Sequence, residues 1–559
     1  MLQRRTFLKS TGLTMLAAAT ANPASLLAEQ AEAKRPNIVV ILADDQRADY
    51  LGCAGHPVVK TPNIDDLAAK GVYFRNAFVT TAACTPSRTS ILLGQYERKH
   101  GITFGSGTAV SGRAFRRSYP MRLKQAGYFV GYVGKNHSPI GRGGYKSGVM
   151  DKGFDFWYGN HGHSFFYPKS KHKIYKDAKL DTQPEIFTEG ALAFFQQNPS
   201  LQGTSKFLTA RPKDKPFCLL VNFNVPHGAG TGTMEKKPTD DALYRTAYRD
   251  QADKLPTPQN YIPKAKLKSR KLPANVWNGK FMNGYNYVLS REALRERQIR
   301  TCQTVTGIDR LVGAVRKQLE ADGLAENTII LYTSDHGLQH GEHGLGGKVF
   351  LYEESIHVPM IVFDPRAPKA LQGQKRDEIV LNIDIAPTLL GLAGLEPSPD
   401  TQGQSWKPLL ADTDTPKVWR DEFFLENMFM GQNYPRCEGV RTKDWKYIRY
   451  FDKKLDTPHA KALTASIRGE QPIYEELFHL AKDPGELTNL AADPARAETL
   501  AHFRKRCATL VKELRGTTPP DTSAYTDHYS DHGTTPKPKR PNPKQPKPKR
   551  PKPKKVKTK

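Results

Sequence analysis

Four separated runs constrain the fold more than anything else in this chain: "NIVVILADD" (37–45), "YFVGYVGKNH" (128–137), "PFCLLVNFNVPH" (216–227) and "NTIILYTSDHG" (327–337). Each is apolar without strict alternation, the pattern of a strand buried on both faces of a largely parallel sheet. Helical stretches lie between and beyond them, at 62–70 with Gly71 as the stop, 299–319 and 386–393. Each run ends in residues able to do chemistry. In an open α/β sheet, ligands bind outside the carboxyl ends of the strands. Asp44, Asp45, Lys135, His137, His227, Asp335 and His336 are therefore expected to share one site. The fold class is α/β, a large domain with a mostly parallel central sheet flanked by helices.

After about Trp406 the pattern changes. "RDEFFLE", "CEGVRTKDWKYIRYF" and "IYEELFHL" read as antiparallel strands, and a helix is expected near 495–514. The expected organisation is a catalytic domain at 34–410, a smaller C-terminal α+β domain at 411–516, and a tail at 517–559. The formal net charge of +28 suggests nucleic acid until its distribution is considered. Residues 536–559 hold twelve Lys or Arg and no acid, so almost half of the excess lies there. Alternating Pro and Lys favours an extended, solvated chain. Such a tail suits electrostatic contact with a polyanion, and nothing points to a specific nucleic acid.

The first 33 residues carry Arg4-Arg5, then Phe7-Leu8-Lys9, a short apolar stretch and small residues before Ala33. This is the layout of a twin-arginine export signal, so a periplasmic or extracellular location is expected. Six cysteines without close pairing make no disulfide framework, although one or two bridges remain open among Cys53, Cys218, Cys302, Cys437 and Cys507.

The sixth, Cys84, opens "CTPSRTSILLGQ", in which Pro86 suits a first helical turn. Unpaired N–H groups and the helix dipole favour an anion there. Three readings stand at this point: a buried structural thiol, a low-pKa thiolate nucleophile assisted by Arg88, or a cysteine that is modified. Only three residues separate Cys84 from Arg88, too few for the five-residue loop of cysteine-dependent phosphatases.

Cys84-Thr85-Pro86-Ser87-Arg88 matches the C-x-P-x-R core at which type I sulfatases oxidise cysteine to formylglycine. The resemblance extends over roughly 35–491, through "RPNIVVILADDQRAD", "TPNIDDLAAKG", "DKGFDFWYG", "GEHGLGGK", "LYEESIHVPMIV" and "DPGELTNLA" in family order. It implies an alkaline-phosphatase-like fold, a formylglycine nucleophile made from Cys84 by a maturation enzyme, and a bound divalent cation. The implied metal ligands are Asp44, Asp45, Asp335, His336 and residue 84. Carboxylates suit a hard ion, Ca2+ with Mg2+ as the alternative. Arg88 and His137 match positions that orient the nucleophile, Lys135 and Lys348 match sulfate-binding lysines, and His227 matches a histidine near the leaving oxygen. Asn136 stands where the family commonly has tryptophan.

The implied reaction is hydrolysis of sulfate esters, with a sulfated carbohydrate as the expected substrate. The aromatic and cationic stretch 161–176, including Phe165, Phe166 and Lys169, is expected to line a sugar subsite. Two other classes remain: a phosphodiester or phosphonate hydrolase using the same fold, and a polyanion-binding protein acting through the tail.

Overall fold

The computed structural model describes residues 35–196, 211–227, 234, 237–263, 290–414, 416, 418–429, 434–452 and 459–524. The expected export signal and most of the expected tail lie outside the described residues. Eight strands form the central sheet: β1 (Asn37–Asp44), β2 (Val72–Phe74), β3 (Phe129–Asn136), β4 (Phe156–His161), β5 (Phe217–Pro226), β6 (Thr328–Ser334), β7 (Met360–Phe363) and β8 (Gln374–Arg376). Their spatial order is β8-β2-β7-β6-β1-β5-β3-β4. Strands β6, β1, β5, β3 and β4 are mutually parallel, and β7 alone runs against its neighbours.

The unbroken apolar runs follow from this placement. Along β1, Ile38, Val40 and Leu42 enter one core while Val39, Ile41 and Ala43 enter the other. The second core is closed by α1 (Pro62–Lys70), α5 (Gln183–Phe195) and α6 (Arg291–Ala321), which contribute Leu67, Phe187 and Val312. The first is closed by α2 (Cys84–Leu93), α4 (Tyr119–Gln125) and α7 (Ile385–Leu392). With both faces covered, no strand needs a polar alternate position. Between α2 and α4 lies the single turn α3 (Glu97–His100).

Strands β9 (Glu422–Asn427), β10 (Arg436–Thr442), β11 (Trp445–Phe451) and β12 (Tyr474–His479) form a separate antiparallel sheet in sequence order. Helix α8 (Ala497–Arg515) packs on it through Phe503, Cys507 and Val511. Buried charges join this sheet to the body. Arg98 of α3 donates to Glu426 Oε2 at 3.0 Å and pairs with Glu438. Lys446, fully buried, pairs with Glu353 at 2.7 Å and Glu486 at 2.8 Å.

One expectation needs correction, and one question left open is answered. The ordered chain continues past the Thr517 boundary, because Thr522–Ala524 pairs antiparallel with Thr108–Val110 and Asp521 binds Arg113 and Arg117. That register satisfies strand hydrogen bonds that composition cannot reveal. All six cysteines are free, so none of the bridges left open forms.

Candidate active site

Sheet register creates the site. Asp44 lies opposite Pro226 on β5, and Ala43 lies opposite Ser334 on β6. The next residues along those strands, His227 and Asp335, therefore reach the same edge as Asp44 and Asp45. Gly134 of β3 pairs with Asn222, which brings Lys135 and His137 alongside. Parallel strands put their carboxyl ends on one edge, so four distant segments meet there. Gly134 has φ 91°, and a Cβ on it would lie 2.2 Å from the Asn222 carbonyl oxygen. Only glycine allows β3 this close to β5.

Cys84 begins α2 at the centre of this edge and is 5% exposed. Its sulfur lies 3.9 Å from Asp44 Oδ1. Lys348 Nζ donates to its sulfur at 2.9 Å, and His336 Nε2 lies 3.4 Å away. Burial opposes ionisation of the thiol, but Lys135, Lys348 and His336 outweigh it and hold its pKa well below the ordinary value. The position is built for an anion or a reactive oxygen.

Three carboxylates surround it. Arg88 Nη2 donates to Asp44 Oδ2 at 3.0 Å, and its Nε donates to Asp335 Oδ2 at 2.7 Å. Arg88 thus ties two carboxylates together, and its nearest polar partners are these acids and the Phe223 carbonyl at 3.0 Å. Lys135, fully buried, pairs with Asp44. Lys348 Nζ donates to Asp45 Oδ1 at 2.8 Å. Asp45 occupies a left-handed conformation, φ 66°, which aspartate tolerates better than most residues.

The donor set fits a divalent cation. Ligand atoms of Asp44, Cys84, Asp335 and His336 all lie within 4.8 Å of one another, as do those of Asp44, Asp45 and His227. Asp45 Oδ2 is buried and has no hydrogen-bond partner among the described residues. Burial pushes the Asp45 carboxyl up to about 6 even with Lys348 beside it. Three buried carboxylates with one oxygen unmatched are what a hard cation would satisfy. His336 contributes nitrogen, with Nδ1 hydrogen-bonded to the Gly337 carbonyl at 2.9 Å and Nε2 turned toward Cys84 and Asp335.

Two further histidines border the carboxylates. His137 stands edge-on to Phe104 at 5.7 Å and against Tyr145 at 6.2 Å. His227 Nε2 is 4.0 Å from Asp45 Oδ2. All ten site residues expected from the sequence, namely Asp44, Asp45, Cys84, Arg88, Lys135, His137, His227, Asp335, His336 and Lys348, are brought to this edge.

One neighbour went unassigned. His163 lies against both His137 and His227, with centroid separations of 4.5 and 5.1 Å. No motif marks it; the signal was its place in the 161–176 stretch. That stretch only partly fits the expected subsite. Phe166, Tyr167 and Tyr175 are buried in the second core, Phe166 completely. Lys169 pairs with Asp181 at 3.1 Å, while Phe165 keeps Lys171 over its ring at 5.6 Å. The aromatic density serves packing as much as any ligand.

Comparison with known proteins agrees with this geometry. Residues 36–395 match the family model "Sulfatase", and residues 341–458 match "N-sulphoglucosamine sulphohydrolase, C-terminal". The chain is 29% identical over 499 residues to an N-acetylglucosamine-6-O-sulfatase of Bacteroides thetaiotaomicron, covering 78% of this chain and 81% of the relative. A solved structure in complex with its substrate D-glucosamine-2-N,6-O-disulfate aligns with a TM-score of 0.59 at 24% identity, over 87% of this chain and all of that one. The phosphonate monoester hydrolase of Agrobacterium radiobacter aligns with a TM-score of 0.61 at 21% identity, over 86% and 96%. These two likenesses establish the fold.

Proposed function

The chain belongs to the sulfatase family, and we propose that it hydrolyses sulfate esters on a glycosaminoglycan-like carbohydrate, outside the cytoplasm. The observation that carries this reading is Cys84, at the start of α2, held among Asp44, His336 and Lys348 at 3.9, 3.4 and 2.9 Å. The carbohydrate class is supported by relatives named for N-acetylglucosamine-6-sulfate and ulvan. The location is supported by the paired arginines of the first 33 residues.

Oxidised to formylglycine and hydrated, residue 84 would supply a hydroxyl nucleophile, and a divalent cation, Ca2+ because three of the ligands are carboxylates, would supply polarisation of a sulfate oxygen. The ligands would be Asp44, Asp45, Asp335 and His336, with residue 84. Arg88 orients Asp44 and Asp335 through its two charge-assisted bonds, and its charge opposes the effect of burial on both carboxyls. Lys348 reaches both Asp45 and residue 84, so its charge faces the sulfuryl group as negative charge develops. Lys135 fixes Asp44 and adds positive potential from behind. His137 borders the nucleophile. His227 Nε2 is the group suited to protonating the departing sugar oxygen.

Turnover of sulfated oligosaccharides tests the proposal, with the mass of the peptide bearing residue 84 measured in the same sample. Aryl phosphate and phosphonate esters, as the second substrate class, should be turned over less efficiently in kcat/KM. A fully active sample carrying an unmodified thiol would overturn the formylglycine reading. Retained turnover of small sulfate esters after removal of residues 525–559 would separate the enzyme from a protein acting through its basic tail.

A further inference from the structure

His163 occupies the gap between two histidines with roles in the proposed reaction. Its ring meets His137 at 66° and lies tilted by 34° against His227. Ring-nitrogen or sulfur atoms of Cys84, His137 and His163 all lie within 4.8 Å of one another. Cys84 therefore belongs to two clusters, one acidic and one of imidazoles.

The fold holds this histidine by construction. β4 ends at His161, and Gly162, at φ 79°, turns the chain back. The Gly162 N–H donates to the Asn136 carbonyl at 2.8 Å, and Asn136 Nδ2 contacts His161 Nδ1 at 2.9 Å. Asn160 Nδ2 donates to the Gly162 carbonyl at 3.3 Å, and His172 Nε2 lies 3.0 Å from the His163 carbonyl oxygen. Gln183 Nε2 donates to the Phe165 carbonyl at 3.0 Å. Polar contacts on both sides fix a segment that would otherwise be a surface turn. The side chain of Asn136, which replaces the family's common tryptophan, provides one of them.

We propose that His163 is a catalytic residue that donates a hydrogen bond to a peripheral oxygen of the sulfuryl group during transfer, a role that rests on the sulfatase reading. The group in flight carries its charge on three peripheral oxygens, and pre-placed donors around them lower the barrier. Lys135 and Lys348 already bond carboxylates. His163 is within reach of residue 84 on the side of His137 and packs against His227, so a sulfuryl oxygen directed to that side would meet its ring. A neutral imidazole offers one N–H donor, enough for this contact.

The test compares His163→Ala and His163→Asn with the wild type on a series of aryl sulfates of rising leaving-group pKa and on a sulfated monosaccharide. Conversion of residue 84 is verified by peptide mass and folding by thermal melting. Wild-type turnover of aryl sulfates tests the sulfatase reading itself. For His163→Ala, kcat should fall about 100-fold, the effect of removing one such donor, with a smaller change in KM. The loss should be equal for good and poor leaving groups, inhibition by inorganic sulfate should weaken, and asparagine should restore part of kcat through its amide N–H. A wild type that is active while His163→Ala is equally active overturns the proposal. So does a loss confined to sulfated sugars, which would make His163 a sugar contact, or one that grows with leaving-group pKa, which would make it a proton donor.

Discussion

Replacing Glu97 by glutamine should stabilise this protein at alkaline pH and leave it nearly unchanged in acid. Glu97 is fully buried in α3. Its Oε2 accepts from Thr81 Oγ1 at 2.8 Å and from the Met428 N–H at 3.4 Å, while Oε1 has no hydrogen-bond partner among the described residues. The adjacent guanidinium of Arg98 is bound to Glu426 and Glu438. Burial, then Glu426, push the Glu97 carboxyl from 4.5 up to about 8. The folded protein therefore keeps a proton that the unfolded chain releases. Stability attributable to this group is intact below pH 4.5, declines as pH rises from there, and is fully lost above about 8. At ~1.4 kcal/mol per pH unit across that window, the cost approaches about 5 kcal/mol at the alkaline end and about 3 kcal/mol at pH 7. Glutamine resembles the protonated acid and removes the dependence. Melting curves of both proteins at pH 5 and pH 8.5 would test this. The variant should melt with the wild type at pH 5 and distinctly above it at pH 8.5. A difference that is constant with pH, or a variant less stable in alkali, would refute the reasoning.

Cys84→Ser should fold, melt close to the wild type, and show no multiple turnover of aryl sulfate, because serine does not provide the aldehyde hydrate. Lys446→Met should cost about 3–5 kcal/mol, since it leaves Glu353 and Glu486 buried without their shared cation; a melting temperature within ~1 °C of the wild type (about 1 kcal/mol for a chain of this length) would contradict that. Gly134→Ala should lower kcat at least ~10-fold in steady-state assays and destabilise by ~1–3 kcal/mol, because the added carbon forces β3 away from β5 and carries Lys135 with it. Chelation of divalent cations should lower both the melting temperature and turnover, with Ca2+ restoring both; an unchanged melting temperature would argue against a cation among Asp44, Asp45 and Asp335.

Sequence alone determined the chemistry on offer and the layer that presents it. Unbroken apolar runs can lie only in a sheet covered on both faces, and polar residues that end such runs must emerge at its edge. Asp44, Lys135, His227 and Asp335 could therefore be assigned to one site without coordinates, and the spacing from Cys84 to Arg88 could be weighed against phosphatase loops. Both inferences use distances of a few residues along the chain. Tertiary structure decided everything that depends on which segments meet. It gave Arg88 to Asp44 and Asp335, buried Phe166 in a core, paired Thr522–Ala524 with Thr108–Val110, and left Glu97 Oε1 without a hydrogen-bond partner among the described residues. His163 shows the reason most clearly. Its ring reaches His137 and His227 only because β3, β4 and β5 are neighbours in an order the chain does not follow. Local pattern fixes which face a residue takes; strand order fixes what it faces.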